Sequence, residues 1–525
     1  MRDFSLPGRS AVFATNGMAA TSHPLASQTA VALLEAGGNA IDAAIGAAVL
    51  LGICEPQMTG IGGDCFALFT PPGEDRVIAL NGSGRAPAGF DAARLRAEGH
   101  GTIPPGTAHT VTLPGAVAGF CRLSRDWGRL PLAQVLAPAI AHAEAGVPIA
   151  PRVAHDIATA HGTLKGAARA AFLPSGRPPA AGELFALPAQ AEVLRRIAAE
   201  GARGFYEGEV AADMVASLNA AGGAHTEEDF AAVTADYAEP VSGQYGPFEL
   251  LEHPPNGQGA TAILLLNILR RFDLAAMAPF GAERAHIEAE ATKLAYDARN
   301  RILADPDHTA RLEHMLAPET ATRLAALIDP ARCLGPVAPL TEQVHRDTVY
   351  LTVVDGDRMA VSLIYSIFSS FGSGIASDRY GILFHDRGAG FTLEKGLPNE
   401  AGPGKRPLHT IIPGILRQEG RVAVPFGVMG GPYQACGHAR FVTNLVDFGL
   451  DLQTAIDTPR CFPWEGRLRI ERGYAPEVRQ ALADLGHDLE VPETGIGGAQ
   501  AIRIRADGVL EGASDPRKDG CALGY

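Results

Sequence analysis

Two places in this 525-residue chain carry residue types that could do chemistry together: Thr348, and the pair Gly430-Gly431. A threonine at the head of an alternating, strand-like run is ordinary in itself, because β-branched side chains suit strands. The position becomes reactive if the Asp347-Thr348 bond is cut. An N-terminal threonine holds a hydroxyl and an α-amine on one residue, and an amine titrating near about 8 can take the hydroxyl proton at neutral pH without a histidine. The same hydroxyl can attack the carbonyl before it, giving an ester that water opens, provided nearby donors hold the oxyanion. Gly430-Gly431, directly after another strand-like run, are suited to offer two backbone N–H groups for that purpose. The expectation is a self-processing amide-bond enzyme that cuts itself before Thr348 and then uses Thr348 as nucleophile.

Competing signatures fail on spacing. His345-Arg346-Asp347 and Asp447-Phe448-Gly449 spell two kinase motifs, but no Asn follows Asp347 at the required offset and no glycine-rich loop with a paired strand lysine precedes them. Pro255-Asn256-Gly257-Gln258-Gly259 lacks the lysine and glycine spacing of a phosphate loop and reads as a plain helix start. Thr59-Gly60-Ile61-Gly62-Gly63-Asp64 follows a helix where a dinucleotide fingerprint needs a strand, so it reads as tight backbone packing. There is no G-x-S-x-G nucleophile elbow. Cys436 and His438 could touch one ion, but no C-x-x-C or H-E-x-x-H accompanies them; neither a metal nor an organic cofactor is expected.

The elements that must position these residues fall into two regimes. Residues 27–35 have apolar positions at helical spacing, Gly37-Gly38 can end that helix, and Asn39 can cap the next, a buried helix over 43–54. Strand-like runs follow at 65–69 and 77–80. Alanine-rich helical segments dominate the middle, for example 131–145, 189–199 and 285–304. After the connector Pro336-Val337-Ala338-Pro339, strands are predicted at 348–354, 359–367 and 381–384, and a hairpin at 410–416 and 422–428 around Arg417-Gln418-Glu419-Gly420. A helix over about 435–445 returns across the sheet, and the tail from 468 resumes strand, helix, strand. Helical layers alternating with strand-rich stretches favour a layered α/β sandwich over a barrel or a bundle.

Composition narrows the partners. With 44 Lys+Arg against 58 Asp+Glu and a net charge of -14, the chain would repel a phosphate backbone, and nucleic acid is not expected. The apolar run 43–54 is too short for the roughly 30 Å core of a bilayer. No export signal is legible at the start, so a membrane role is not expected and the cytoplasm is the expected location. Seven scattered cysteines, an odd number, read as reduced core thiols.

At these residues the chain resembles the γ-glutamyltranspeptidase family of N-terminal-nucleophile hydrolases, from Gly17 to Tyr525. The resemblance rests on Ser22-His23-Pro24-Leu25-Ala26-Ser27-Gln28, Ala36-Gly37-Gly38-Asn39-Ala40-Ile41-Asp42-Ala43-Ala44, Glu55-Pro56-Gln57-Met58-Thr59-Gly60-Ile61-Gly62-Gly63, Phe371-Gly372-Ser373-Gly374-Ile375, Lys405-Arg406-Pro407 and Gly512-Ala513-Ser514-Asp515-Pro516-Arg517. It implies a four-layer αββα sandwich and autocleavage into segments 1–347 and 348–525 that stay together as one catalytic body, a heterodimer or a dimer of heterodimers. It implies Thr348 as nucleophile, Ser366 as the hydroxyl residue bonded to it, and Gly430 and Gly431 as oxyanion donors.

The substrate pocket departs from the transpeptidase pattern. Ser83 stands where transpeptidases place an arginine for the glutamyl α-carboxylate, Phe368 where they place an asparagine, Gly390 at their aspartate, Arg387 at a glutamine, and His409-Thr410 at a serine pair. Losing a buried ion-pair partner costs several kcal/mol, so specificity is expected to have changed. Arg85, two residues beyond Ser83, would share its side of an extended strand and could replace the lost guanidinium. The pattern of Ser83, Phe368, Arg387-Gly388, His409-Thr410 and the tail through Tyr525 more closely resembles the oxamate amidohydrolase branch. That branch implies hydrolysis of a small amide acid, with Arg387 gripping a carboxylate beside the scissile carbonyl and His409 and Thr410 as further donors. Open beside it stand Arg387 as a surface ion-pair partner, His409 as a structural histidine, a γ-glutamyl transferase or glutathione hydrolase using Arg85 and Arg387, and an uncleaved binding module.

Overall fold

The structure, a computed structural model, describes residues 8–335 and 348–525. The connector Pro336-Val337-Ala338-Pro339, the His345-Arg346-Asp347 triplet and the Asp347 side of the expected cleavage site lie outside the described residues.

The paired helices form as their caps dictate. Pro24–Glu35 starts behind His23, whose Nδ1 accepts from Leu25 N, and its end turns at Gly37 with φ 92. Ala40–Cys54 starts with a reciprocal capping box between Asn39 and Asp42. Every residue of this second helix is buried, which explains why its sequence shows no polar face. Among the described residues no helix is long and apolar enough to cross a membrane.

Two seven-stranded antiparallel sheets form the centre. In one the order is Cys521–Gly524, Met18–Thr21, Val349–Val354, Ala360–Ser366, Asp64–Phe69, Ile78–Gly82, Asp236–Ala238. In the other it is Val12–Ala14, Leu510–Ser514, Gly498–Ile504, Arg421–Met429, Gly414–Gln418, Phe248–Glu252, Val241–Tyr245. Small and branched side chains from both, among them Met18, Leu68, Val354, Ile415 and Ile502, make the dry layer between the sheets. The outer face of the first sheet packs on Pro24–Glu35, Ala40–Cys54 and Ala116–Trp127, with Leu132–Ala145 behind Ala40–Cys54; that of the second packs on Gly259–Leu269 and Gln434–Val446, with Ala282–Ile302 behind Gly259–Leu269. The order α, β, β, α is the expected four-layer sandwich. Each sheet contains strands from both sides of position 348, so neither segment owns a sheet.

Two predicted strands differ. Residues 381–384 make only an isolated bridge, Ala376 with Leu383, because Gly381 turns at φ 61 and the segment bonds back on its own loop through Ser377 N to Ile382 O. The first hairpin arm begins at Gly414 rather than 410: His409 N donates to Asn256 O and Ile412 N to Gln434 Oε1, which takes this stretch out of the ladder. The hairpin turn is Glu419-Gly420, both at positive φ, and Arg417 and Gln418 belong to the strand.

Candidate active site

Thr348 stands at the head of the Val349–Val354 strand, buried, and its Oγ1 donates to Ser366 Oγ at 3.2 Å. Ser366 ends the neighbouring strand, and its Oγ also accepts Phe368 N at 2.8 Å. Two adjacent strands thus hold the hydroxyl pair. Phe368 adopts φ 79, which is strained for a residue with a Cβ and is a feature concentrated at functional sites.

Gly430 and Gly431 follow the Arg421–Met429 strand at φ 119 and 55. A Cβ on Gly430 would sit 2.8 Å from Gly497 Cα, so the turn needs glycine in shape as well as in dihedral angle. The turn feeds Gln434–Val446 through one 3₁₀ turn, placing the glycine amides at the positive end of a helix. Thr348, Gly430, Tyr433, Trp464, Arg152 and Lys518 are among the residues lining one cavity of about 120 Å³. The Thr348 residue and the Gly430 turn therefore border the same space.

Ser366 pairs in register with Asp64 on the other neighbouring strand. Around Asp64 the structure gathers Arg387, His409, Thr410 and His385. His409 Nε2 lies 3.2 Å and Arg387 Nε 3.7 Å from Asp64 Oδ2, and the amides of Gly84 and Gly115 donate to Oδ1. Arg387 Nη1 donates to Thr410 Oγ1 at 3.2 Å, and its guanidinium lies 4.1 Å from the Phe368 ring centroid. Burial alone would push the Asp64 carboxyl up, but His385, the His409 hydrogen bond and Arg387 outweigh it and hold it down at about 2. Burial, reinforced by Arg387, pushes His409 down to about 3, so the ring is neutral at pH 7 and its Nε2 donates to the carboxylate. That leaves Nδ1 as an acceptor with no partner among the described residues.

Of the residues singled out in the sequence, Thr348, Ser366, Gly430 and Gly431 come together, as do Phe368, Arg387, His409 and Thr410. Arg387 is fully buried, which removes the surface ion-pair reading. Ser83 is buried too, its hydroxyl donating to Asn81 Oδ1 at 2.7 Å. Arg85 requires a correction. It lies beyond the strand end, its side chain is 41% exposed, and Nη1 turns to Asp305 Oδ2 at 3.1 Å and to Gly404 O, so it does not replace the missing guanidinium.

Sequence reasoning missed Asp64, His385, Asn81, Asn256 and Gln258. Tight packing was the correct reading of the glycines before Asp64, since a Cβ on Gly62 would meet Leu383 O at 2.2 Å, but that reading hid the acid at the end of the motif. The Pro255–Gly259 helix start also builds the site wall. Asn256 Nδ2 donates to Pro407 O, and Gln258, itself bonded by the buried Arg299, donates to Thr410 O at 2.6 Å and Gly431 O at 3.4 Å.

One trio of metal-ligand type, His286, Glu290 and His487, has its ligand atoms within 4.8 Å of one another. Those atoms are already bonded: His286 Nδ1 to His487 Nε2, His286 Nε2 to Asp329 O, and Glu290 to Lys293 and Leu334 N. Cys436 and His438 are engaged separately, by Thr292 and by Glu252 with Val428 N.

Comparison with known proteins agrees with this construction. The γ-glutamyltranspeptidase family model matches residues 26–525. The chain is 37% identical to the oxamate amidohydrolase proenzyme of Klebsiella pneumoniae, over 97% of this chain and 99% of that protein. It is 34% identical to the glutathione hydrolase-like YwrD proenzyme of Bacillus subtilis, over 98% and 99%. A solved cephalosporin acylase from Bacillus halodurans superimposes with a TM-score of 0.92 at 36% identity, covering 100% of this chain and 99% of that one.

Proposed function

The chain belongs to the γ-glutamyltranspeptidase family, and from that premise we propose that it is made as a proenzyme, cuts Asp347-Thr348, and hydrolyses a small amide acid of the oxamate kind through a threonyl acyl-enzyme. The observation that carries the reading is the Thr348 hydroxyl, 3.2 Å from Ser366 Oγ and facing the same cavity as Gly430. Once cleaved, the α-amine of Thr348 takes the hydroxyl proton, the oxygen attacks the amide carbon, and the Gly430 and Gly431 amides receive the oxyanion. Collapse of the adduct expels the amine, which leaves with the proton; water then opens the ester and releases the acid.

The acyl-side carboxylate meets Arg387, with His409 and Thr410 beside it. The altered wall argues against a γ-glutamyl donor, because Ser83 is tied to Asn81 and Arg85 is turned to Asp305. Both segments contribute hydrogen-bonded strands to each sheet, so the two pieces stay associated after the cut as a heterodimer.

Intact mass spectrometry after expression tests the nucleophile: the wild type gives two polypeptides, the second beginning at Thr348, and Thr348→Ala gives one. Ammonia release from oxamate and related amide acids tests the substrate. Turnover of a chromogenic γ-glutamyl anilide, lost in Arg387→Ala, would replace the amide-acid reading with the γ-glutamyl one, and a wild type that stays whole on a denaturing gel would favour a binding module.

A further inference from the structure

We propose that Lys518 binds a carboxylate of the substrate in the cavity beside Thr348. This rests on Thr348 as the nucleophile and adds a second anion-recognition point to Arg387. Lys518 is 6% exposed and lines the cavity with Thr348 and Gly430. Its one side-chain hydrogen bond among the described residues is to the thioether of Met58, at 3.9 Å, and no described carboxylate comes within 4.0 Å.

In the turn that carries Lys518, Asp519 accepts the Arg152 amide at 2.9 Å and the remaining charges are paired. Asp515 pairs with Arg460 and with Arg517, and Arg517 pairs with Glu471. The Lys518 amide donates to Asp515 O at 3.2 Å, which closes the turn. The two other cations in the cavity wall have acids of their own: Arg152 has Asp156 at 2.7 Å, and Arg469 has Glu490 at 3.4 Å. Among the described residues no aspartate or glutamate lines the cavity. Burial raises Glu55 to about 7 against the pull of Lys518, and that carboxyl is bonded by Ser22. An ammonium group buried without a partner is unfavourable, and an anionic ligand in the cavity supplies the missing charge.

The anion can sit in the acyl part of the substrate or on its amine part, and paired probes separate these. Oxamate and oxamide differ in the acyl carboxylate; N-oxalylglycine and N-oxalylglycinamide differ in the amine-side one. Binding is read by calorimetry and by fluorescence of Trp464, which lines the cavity, and kcat and KM are read where turnover occurs. In Lys518→Met the member of one pair that bears the extra carboxylate should bind at least about tenfold more weakly, with its amide counterpart unmoved and Lys518→Arg recovering part of the loss. Weakened oxamate places the carboxylate in the acyl part, and weakening confined to N-oxalylglycine places it on the amine. Parallel shifts within both pairs, or no shift in either, overturn the proposal. Intact mass of the same variants reports self-cleavage, so a failure of Thr348 chemistry is distinguished from a failure at Lys518, and the binding arm needs no turnover.

Discussion

Two polar regions flank the same strand end, and they are built on opposite principles. At Thr348 itself the parts are small and neutral, two hydroxyls held by adjacent strands and glycine amides held at a helix start, with the cations of the cavity wall set beyond them. Around Asp64 they are ionisable side chains, buried together and balanced against one another. Backbone architecture fixes the first region, so it is expected to persist wherever the fold persists. Side-chain electrostatics fix the second, so single substitutions can retune what the site accepts. On the proposed function, the contrast would let one fold keep its bond-breaking step while its substrate wall changes.

The comparison is tested hardest at Thr348. Thr348→Ala should abolish self-cleavage and lower kcat by more than about 10³-fold, with little change in melting temperature, because a strand position tolerates alanine. In the other region the order reverses. Asp64→Asn removes the buried carboxylate that His409 and Arg387 face and should destabilise the protein by about 3–5 kcal/mol in denaturant titration. If instead Thr348→Ala unfolds the chain and Asp64→Asn does not, the division between the regions is wrong.

How much of this was legible in the sequence divides along the same line. The capped helices, the Thr348 strand and the glycine turn announce themselves, because local dihedral needs and periodicity select residue types that can be recognised one at a time. The charge cluster does not. Asp64, His385, Arg387 and His409 meet only because a strand ladder sets Asp64 opposite Ser366 and a loop after Phe368 folds back over it. No local pattern encodes that meeting, and Asp64 sat at the end of a glycine motif whose tight packing was already a sufficient explanation. Residues 381–384 and 410–413 show the converse failure: both have strand-like composition, but their backbone donors are taken by loops and side chains.

Smaller effects sharpen the contrast. Ser366→Ala removes a single hydroxyl contact to the nucleophile and should lower kcat by about 10–100-fold while leaving KM within about twofold. Stability should also depend on pH through the second region. The unfolded His409 takes up a proton as pH falls through its ordinary value of 6.5, whereas the folded ring resists until about 3, so stability declines as pH drops across that interval. Asp64, held at about 2, adds a loss at lower pH still, as it is protonated below its ordinary 3.8. The sign is the same for both: acid destabilises, by of order 1 kcal/mol between about pH 7 and pH 5.5. Melting temperature measured across this range should be flat above about pH 7, and His409→Gln should flatten the upper part of the decline.

The smallest expected effect is at Arg85, and it is informative for that reason. Its ion pair with Asp305 is 41% exposed on the arginine side, where such pairs contribute about 0–1 kcal/mol. Asp305 retains the Arg406 amide at 2.7 Å without it. Arg85→Ala should therefore leave KM for an amide acid within about twofold and stability within about 1 kcal/mol, whereas Arg387→Ala, removing a cation from the buried cluster, should raise KM by more than tenfold, by about 1.4 kcal/mol or more. Equal sensitivity at the two arginines would mean that the substrate wall extends past the strand end to the Asp305 surface, and that the Asp64 cluster is scaffolding rather than the seat of specificity.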